Sequence, residues 1–197
     1  YSTLSLAHSP NSFHRPCSNP GSKREHPKPK KEYIIVDMCA APGSKTTQLA
    51  AMMQNTGVLI ANDLQGSRLK ALGINLRRCG TTNTMVTQMP GNYFKKHKER
   101  YDSILVDAPC SGTGTIRRSL KTLQMWSPNL VRKMRGIQKQ LLLSAYEALK
   151  PGGLLIYSTC TLEPEEDEGM VGYLLDNYDL ETEEIKLDIV RSNPITE

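Results

Sequence analysis

The chain has 197 residues, 38% of them hydrophobic, and a net charge of +5, which is enough chain for one domain with its own core. No run of about 18 apolar residues predicts a membrane span, and the start at Tyr1, with neither an initiator Met nor a signal-peptide pattern, favours a fragment. The five cysteines fit neither a disulfide framework nor a CxxC zinc pattern, so we expect free thiols in a reducing compartment.

Charge is distributed unevenly along the chain. Residues 1–32 carry a net +4, residues 33–150 a net +11 and residues 151–197 a net −10. A basic majority with an acidic end indicates an anionic partner on one side of the molecule, and nucleic acid is the usual candidate. Ordinary solvated helix faces would give the same distribution, so charge alone leaves both interpretations open.

The first 32 residues are rich in Ser, Pro, Asn, His and Lys and lack apolar periodicity. They are predicted to be mostly loop or disordered. Their cysteine and three histidines have no ligand-like spacing, so we expect no metal site there. We therefore separate a basic Pro/Ser-rich segment, residues 1–32, from a folded domain, residues 33–197.

Short apolar runs alternate with helical patterns from Tyr33 onward. Strands are predicted in "YIIVDMCA", "GVLIAND", "NTMVTQM", "YDSILVDAP", "LLIYSTC" and "YDLETEEIKL". Helices are predicted after the first two strands, in "EPEEDEGMVGYLLDN", and in a long segment that begins at Ser127-Pro128 and ends at the turn of residues 151–153. The alternation predicts an α/β fold, a doubly wound and mostly parallel sheet with helices on both faces.

The unusual residues lie where four of these strands end. They are Asp37 to Lys45, Asp63, Asp107 to Gly112, and Ser158 to Cys160. Because doubly wound sheets bind ligands beyond the carboxyl ends of their strands, we expect the site at that edge. The acidic run from Glu163 to Glu168 suits the first turn of a helix and is interpreted as structural.

The loop "CAAPGSKTT" separates the first strand from the first helix. It lacks the first Gly of a phosphate-binding P-loop and has an extra residue before Lys45, and GxGxxG is also absent. A small-residue turn with one Gly can still bring backbone N–H groups close to a carboxylate-bearing cofactor such as S-adenosylmethionine (SAM). Asp63, at the end of the second strand, is placed to accept hydrogen bonds from ribose hydroxyls, although such an Asp is often only a cap.

The stretches "DAPC" and "STC" each end an apolar strand with a cysteine. A thiolate that adds to C6 of a pyrimidine makes C5 nucleophilic enough to take a methyl group. An acidic group near N3 assists, and a second group must remove the C5 proton. Cys110, Cys160 and Asp107 can supply these roles, whereas a single cysteine would more often simply pack in the core.

The chain from about 33 to 175 resembles the Sun-domain family of RNA cytosine-5 methyltransferases. The matching stretches are "DMCAAPGSKTTQLA", "ANDLQGSRLKALGINLRRCG", "DAPCSGTG" and "YSTCTLEPEEDE". The resemblance implies a Rossmann-like, SAM-dependent methyltransferase fold. It also implies an enzyme that methylates C5 of a cytosine in RNA through a covalent Cys–C6 intermediate.

Site residues follow from the resemblance motif by motif. The Thr-Cys cysteine, Cys160, is the nucleophile, and the Pro-Cys cysteine, Cys110, assists product release. Asp107 contacts the cytosine ring, and Lys45 approaches the target base. In DNA cytosine methyltransferases the Pro-Cys thiol attacks instead, which leaves Cys110 as a competing nucleophile. The implied cofactor-binding residues are Cys39, Ala40, Ala41, Pro42, Gly43, Ser44, Lys45, Asp63, which holds the ribose, Arg68 and Asp107.

The sequence departs from the family pattern in three places. Pro90 stands where the family has an Asp that contacts the adenosine part of SAM, and Gln88 or backbone groups are candidate replacements. A Gln-and-Ser-bearing motif expected before the first strand and a C-terminal strand expected after Glu197 are not visible. We therefore expect a domain truncated at both ends, rearranged or divergent.

The predicted substrate is rRNA, with tRNA next. Expected RNA contacts lie in "KKHKER" (95–100), in "RRSLK" (117–121) and among residues 132–135, with Trp126 a candidate for stacking or for packing. The alternative is a non-catalytic RNA-binding scaffold, and a DNA methyltransferase is disfavoured by the Thr-Cys motif. We expect an intracellular monomer, cytoplasmic or nucleolar, without metal or membrane contact.

Overall fold

The computed structural model describes residues 33–183 together with a backbone strand at residues 2–8. The strands of these residues are β1 (Ser2–His8), β2 (Ile34–Asp37), β3 (Val58–Asn62), β4 (Thr84–Thr87), β5 (Tyr101–Asp107), β6 (Leu149–Thr159) and β7 (Leu180–Glu183). The helices are α1 (Ser44–Met52), α2 (Gly66–Arg78), α3 (Lys121–Met125), α4 (Pro128–Ala148) and α5 (Glu168–Asn177), with 3₁₀ turns at Gly91–Lys96 and Thr113–Thr115.

The strands form one sheet in the order β4-β3-β2-β5-β6-β1-β7. The first five strands in this order run parallel to one another, and β1 runs antiparallel to both of its neighbours. The order reverses direction at β2 and β5, which is where a doubly wound sheet opens a ligand crevice. The predicted α/β fold with a mostly parallel sheet is confirmed.

Helices cover both faces of the sheet because its strands are apolar on both faces. In β2, Ile35 packs in a cluster with residues of α1, while the next residue, Val36, packs in the larger cluster that contains α4 and α5. Successive strand residues point to opposite faces, so a strand covered on both sides reads as a continuous apolar run. A third cluster joins the loop after β2 to Leu72 of α2.

The long helix α4 begins as predicted and ends earlier. The Ser127 hydroxyl accepts a hydrogen bond from the Leu130 N–H at 3.1 Å, and Pro128 occupies the first turn. The turn predicted at residues 151–153 lies inside β6 instead. Leu149 already pairs with Tyr101 of β5, and the next pair joins Ser103 to Leu154, so residues 150–153 form a bulge within the strand.

The helix α5 begins at Glu168, five residues later than the acidic run predicted. Two residues of that run face inward and bind the end of β6. The Tyr157 hydroxyl donates to the Glu166 carbonyl, and the Thr159 hydroxyl donates to the Asp167 carboxylate, both at 2.6 Å. These bonds hold the run in turns, so the prediction that the whole run begins a helix was wrong.

Residues 2–8 are a strand within the segment that is predicted to be mostly loop or disordered. β1 pairs with β6 from Ser2↔Thr159 to Ala7↔Leu154 and with β7 from Ser5↔Glu183 to His8↔Leu180. Its sequence "STLSLAH" alternates polar and apolar residues at the start, which is the pattern of a strand. The stretch is too short to stand out from the polar residues after it, and residues 9–32 lie outside the described part.

Two negative observations apply to the described residues. None of their helices combines the length and the apolar character that crossing a bilayer requires. The same residues contain no group of three or more His, Cys, Asp or Glu side chains arranged to hold a metal ion.

Candidate active site

A cleft of about 1090 Å³ opens at the carboxyl ends of β2, β3, β5 and β6. The edge predicted from the strand-end residues is therefore the edge that carries the cleft. Of the predicted site residues only Gly43 is outside its lining. The others that line it are Cys39, Ala40, Ala41, Pro42, Ser44, Lys45, Asp63, Arg68, Asp107, Cys110 and Cys160.

Gly43 is the last residue of the loop between β2 and α1, and its conformation determines the path of that loop. Its φ is +108°, a conformation that residues with a Cβ rarely adopt. A Cβ at this position would also lie 2.9 Å from the Leu72 side chain of α2. The loop thus lies directly on α2, where the Asn75 amide donates to the Pro42 carbonyl at 2.8 Å.

Asp63 is buried, and its carboxylate binds the same loop. It accepts hydrogen bonds from the Ala41 N–H at 3.2 Å and from the Gln65 N–H at 2.9 Å. Arg68 forms an ion pair with it at 3.2 Å and donates to the Ala41 carbonyl. Asp63 therefore acts as a cap for two loops as well as lining the cleft, so both interpretations of this residue have support in its position.

Asp37, at the end of β2, lies in the strand-end stretch predicted to mark the site, but no catalytic or binding role was predicted for it. Its Oδ2 accepts from the Thr46 hydroxyl at 2.7 Å, whereas its buried Oδ1 has no hydrogen-bond partner. Burial raises the pKa of Asp37 to about 7, an effect that the Thr46 bond only partly offsets. Its position as the last residue of a buried strand before the loop was the available signal.

Asp107 and Lys45 form an ion pair in the cleft. The Lys45 Nζ lies 2.5 Å from Asp107 Oδ1, and the Ser158 hydroxyl donates to the same oxygen at 2.8 Å. The pair links the loop after β2 to the ends of β5 and β6. Asp107 keeps 36% of its side chain exposed, so it remains accessible to a molecule in the cleft.

The two strand-end cysteines face each other. Their Sγ atoms are 3.2 Å apart, and the Cys160 N–H donates to Cys110 Sγ at 3.4 Å. A hydrogen bond from the Cys110 thiol lowers the pKa of Cys160 to about 7, and the same bond, together with burial, raises the pKa of Cys110. At a pH near 7, roughly half of Cys160 is therefore thiolate while Cys110 stays a thiol.

Cys39 differs from these two cysteines. Its thiol is largely buried, and burial, aided by the negative charges of neighbouring carboxylates, raises the pKa of Cys39 to about 12. It lines the cleft as a neutral, weakly polar side chain. Its contribution to the site is shape rather than nucleophilic chemistry.

A buried clamp connects the Pro-Cys loop, residues 108–115, to the Thr-Cys segment, residues 159–163. Glu166 has no exposed surface, and its carboxyl group accepts from the Ser111 N–H at 3.0 Å and from the Gln138 amide at 2.7 Å. The Gln138 amide also donates to the Pro109 carbonyl at 3.0 Å. Sequence reasoning missed this clamp because an acidic residue next to exposed acidic residues gives no sign of being buried.

Hydroxyl groups and one glycine complete the connection. Thr161 Oγ1 lies 2.7 Å from Ser111 Oγ and 2.9 Å from Thr113 Oγ1. The Gly114 N–H donates to the Cys160 carbonyl at 3.1 Å, and a Cβ on Gly114 would lie 2.9 Å from that oxygen. Only glycine allows the two backbones to approach this closely.

The basic stretches predicted to contact RNA lie in different places. Residues 117–121 directly follow the Pro-Cys loop, and Lys133 of α4 lines the cleft. Residues 95–100 instead precede β5, at the amino ends of the strands. There Arg100 donates to the carbonyl of Ala148 at the end of α4, so this stretch lies away from the cleft.

Pro90, the position at which the resemblance implies an Asp, is part of the cleft. Pro90 is exposed and lines it together with Asn92. Gln88, the suggested replacement, is not in the lining, and its amide faces the Leu64 carbonyl at 3.4 Å. Of the side chains next to Pro90, Asn92 is therefore the better placed polar group.

Comparison with known proteins gives consistent matches. The family model described as 16S rRNA methyltransferase RsmB/F matches residues 25–194. A tRNA (cytosine(49)-C(5))-methyltransferase of Pyrococcus abyssi is 46% identical over 169 residues, which are 86% of this chain and 54% of that protein. The ribosomal RNA small subunit methyltransferase F of Aeromonas salmonicida is 46% identical over 150 residues, which are 76% of this chain and 32% of that protein.

Solved structures show the same likeness. NSun6 from Pyrococcus horikoshii, determined with SFG, superposes with a TM-score of 0.70 at 35% identity, covering 75% of this chain and 38% of that one. A methyltransferase homologue from the same organism gives 0.68 at 41% identity, covering 77% and 47%. The chain thus spans between about a third and a half of these relatives. Because the family model matches residues 25–194, most of the chain, the chain belongs to the 16S rRNA methyltransferase RsmB/F family.

Proposed function

We propose that this chain transfers a methyl group from SAM to C5 of a cytosine in RNA. The observation that carries the proposal is the pair of thiols 3.2 Å apart in a cleft that also holds the Asp107–Lys45 ion pair. An rRNA substrate is favoured by the family description, and tRNA comes next because a relative 46% identical is named for a tRNA cytosine.

The lining of the cleft fits SAM, which carries an amino group, ribose hydroxyls and a carboxylate. The buried Asp37 Oδ1 has no partner and can accept from a donor group that enters the cleft. Asp63 follows β3 and is paired with Arg68 of α2, and Ser44 and Lys45 at the amino end of α1 also line the cleft. Asp107 borders both this loop and the thiols. Bound there, SAM supplies an electrophilic methyl group.

In the proposed attack, the Cys160 thiolate forms a bond to C6 of the cytosine. The π electrons of the C5–C6 bond then make C5 the nucleophile that accepts the methyl group. A pKa of about 7 gives Cys160 a large thiolate fraction at neutral pH. Asp107 stabilises the ring protonated at N3, and Lys45 orients Asp107 through their ion pair.

Release is the role proposed for Cys110. Once the Cys160 sulfur carries a carbon it is no longer an anion that accepts the Cys110 proton, so the largest cause of the raised Cys110 pKa is removed. The Cys110 thiol then loses its proton to solvent in the open cleft, and the resulting thiolate takes the C5 proton. The electrons of the C5–H bond restore the C5–C6 double bond, and the S–C6 bond breaks to return the Cys160 thiolate.

A covalent-trap experiment tests the assignment. Each of Cys110→Ala, Cys160→Ala and Cys79→Ala is incubated with SAM and cytosine-containing rRNA or tRNA, and protein–RNA adducts are separated on a denaturing gel. Cys110→Ala should accumulate the adduct, Cys160→Ala should give none, and Cys79→Ala, an exposed cysteine outside the cleft lining, should behave as the unmodified chain. An adduct in Cys160→Ala but not in Cys110→Ala would invert the two roles.

A non-catalytic RNA-binding scaffold is the second candidate function. Pro90 favours it, because this exposed residue of the cleft has no side-chain acceptor for the adenosine part of SAM. Calorimetry with SAM separates the candidates. Binding near one SAM per chain supports the enzyme, whereas RNA binding without SAM binding supports the scaffold.

The proposed chemistry constrains the surroundings of the protein. Cys110 and Cys160 must both stay reduced, so we propose a reducing compartment inside the cell, cytoplasmic or nucleolar. RNA is the proposed partner. A monomer suffices because every group assigned to the reaction comes from one chain.

A further inference from the structure

Exposed apolar side chains lie next to the Pro-Cys loop and the Thr-Cys segment, whose residues Cys110 and Cys160 line the cleft. We call them the apolar rim: Leu120, Leu123, Met125, Trp126 and Leu162, which are between 42% and 71% exposed. Four of the five lie in or beside α3, and Leu162 follows Cys160 by two residues. Single exposed apolar residues are common, but a group of this size beside a binding site indicates a surface that another molecule covers.

The rim is held together around the Pro-Cys loop. The Leu162 N–H donates to the Thr113 hydroxyl at 2.9 Å, and a Cβ built on Gly114 would lie 3.7 Å from Leu162 Cγ. On the other side of the loop, a Cβ on Gly112 would lie 3.7 Å from Thr122 of α3. The rim is therefore continuous with the loop that carries Cys110.

Trp126 is held in a defined orientation. Its Nε1 donates to Glu163 Oε1 at 2.9 Å, which joins the end of α3 to the Thr-Cys segment across 37 residues of sequence. The indole ring is nevertheless 42% exposed. An aromatic ring that is fixed at its polar edge and open over much of its surface is a suitable platform for stacking.

Basic side chains on the α3 side of the rim favour RNA over a protein partner, whereas the acidic residues Glu163 and Glu165 lie on its Leu162 side. Arg117, Arg118 and Lys121 are exposed within the same segment as the ring. Basic side chains interleaved with an aromatic platform are the pattern of single-stranded nucleic acid binding, in which phosphates meet the charges and bases meet the ring. Continuity with the proposed catalytic cleft supplies the second argument, because a strand that delivers one base to Cys160 must pass over its border.

We propose that the apolar rim binds the nucleotides that flank the target cytosine, with a flanking base stacked on Trp126 and Leu162 filling the space that the extruded cytosine leaves. A base must leave its stack before Cys160 can reach C6, and an apolar side chain inserted between bases replaces part of the lost stacking. The inference rests on the proposed function and specifies how that function holds its substrate.

The fluorescence of Trp126 tests the proposal directly, because it is the chain's single tryptophan. The unmodified chain is titrated with an unlabelled single-stranded RNA of nine nucleotides that has a central cytosine. Stacking should quench the emission, and an abasic nucleotide beside the cytosine should abolish the quenching at one of the two flanking positions. Binding of the same RNA without quenching would overturn the proposal.

Matched variants separate stacking from structure. Trp126→Ala should weaken RNA binding, or raise KM, roughly 5- to 150-fold with kcat little changed. Trp126→Phe, which keeps a ring but loses the bond to Glu163, should recover most of that loss. Leu162→Ala should raise KM, whereas Ile74→Ala, which changes another exposed aliphatic residue, on α2, should not.

The outcomes distinguish this inference from the proposed function. Methyl transfer with an unchanged KM in Trp126→Ala would reject RNA binding by the apolar rim but not the proposed methyltransferase function. The rim would then be assigned to a protein partner. Failure of Trp126→Phe to recover binding would also overturn stacking and leave the Glu163 bond as the role of the ring. Absence of methyl transfer and of covalent adduct with every RNA tested would instead reject the proposed function.

Discussion

Glu166→Gln should separate the positioning of Cys110 from its chemistry. The Glu166 carboxyl group, which has no exposed surface, accepts from the Ser111 N–H and from the Gln138 amide, and Ser111 follows Cys110 directly. Gln has nearly the same shape but only one acceptor oxygen. Both short bonds go to Glu166 Oε2, so the Gln oxygen can keep them, but they lose the charge of the carboxylate. The NH₂ group takes the place of Oε1, where the longer 3.3 Å bond from the Ser111 N–H is lost.

The magnitude follows from the type of bond that is lost. A buried hydrogen bond to a charged group contributes about 1.5–3 kcal/mol, and an unsatisfied buried donor costs about 1–3 kcal/mol. Because the two short bonds change from charged to neutral and only the longer bond is lost, we expect the free energy of unfolding to fall by about 1–3 kcal/mol. Glu165→Gln is the matched control, because Glu165 is the exposed neighbour in the sequence.

Two assays check the reasoning. Urea denaturation measures the loss of stability, which should appear in Glu166→Gln and not in Glu165→Gln. Incubation with SAM and RNA measures positioning. If the clamp holds Cys110 in place for release, the covalent adduct should accumulate in Glu166→Gln, as we expect it to do in Cys110→Ala. Equal stability of the two Gln variants, together with no adduct in either, would refute the clamp.

Three further predictions concern the cleft. The rate at which iodoacetamide alkylates Cys160 should rise with pH around a midpoint near 7, because only the thiolate reacts. Cys110→Ala should move this midpoint upward, because it removes the hydrogen-bond donor to the Cys160 thiolate. Mass spectrometry identifies the alkylated cysteine, and an unchanged midpoint in Cys110→Ala would contradict the hydrogen bond between the two thiols. Pro90→Asp should tighten SAM binding about 3- to 10-fold in calorimetry by restoring an acceptor, unless Asn92 already provides the contact, in which case affinity stays the same. Because the pKa of Asp37 is raised from 3.8 to about 7 in the folded chain, its contribution to stability is full below pH 3.8 and is lost as pH rises to about 7. In urea denaturation, the free energy of unfolding of Asp37→Asn should not fall over this pH range. An identical pH dependence in Asp37→Asn and in the unmodified chain would contradict the raised pKa of Asp37.

The strands and the location of the cleft could be predicted because they depend on local patterns. Apolar runs mark β2, β3, β5 and β6, and the parallel topology then brings their carboxyl ends to one edge. Cys110 and Cys160 are far apart in sequence, yet each follows the last residues of a strand. Since β5 and β6 are neighbours in register, with Asp107 opposite Ser158, the two cysteines had to meet.

The remaining features depend on hydrogen-bond partners that are distant in sequence and that no local sequence pattern predicts. Glu166 lies in an acidic run that is typical of a solvated surface, and its donors Ser111 and Gln138 stand 55 and 28 residues away. The lone Oδ1 of Asp37 is visible only when the surrounding side chains are placed. Trp126 illustrates the same limit, because its bond to Glu163 decides between packing and an open ring.

The position of β1 has a consequence for how the sheet assembles. Ser2 pairs with Thr159 and Ser5 pairs with Glu183, so both ladders of β1 close loops that span nearly all of the described chain. Contacts of such high contact order form late, after the parallel strands have a surface to receive them. Until then β6, the strand that leads to Cys160, is an unprotected edge open to pairing with another chain. Co-expression with a chaperone, or a slow refolding protocol, should therefore improve the yield of protein more than any change to the cleft.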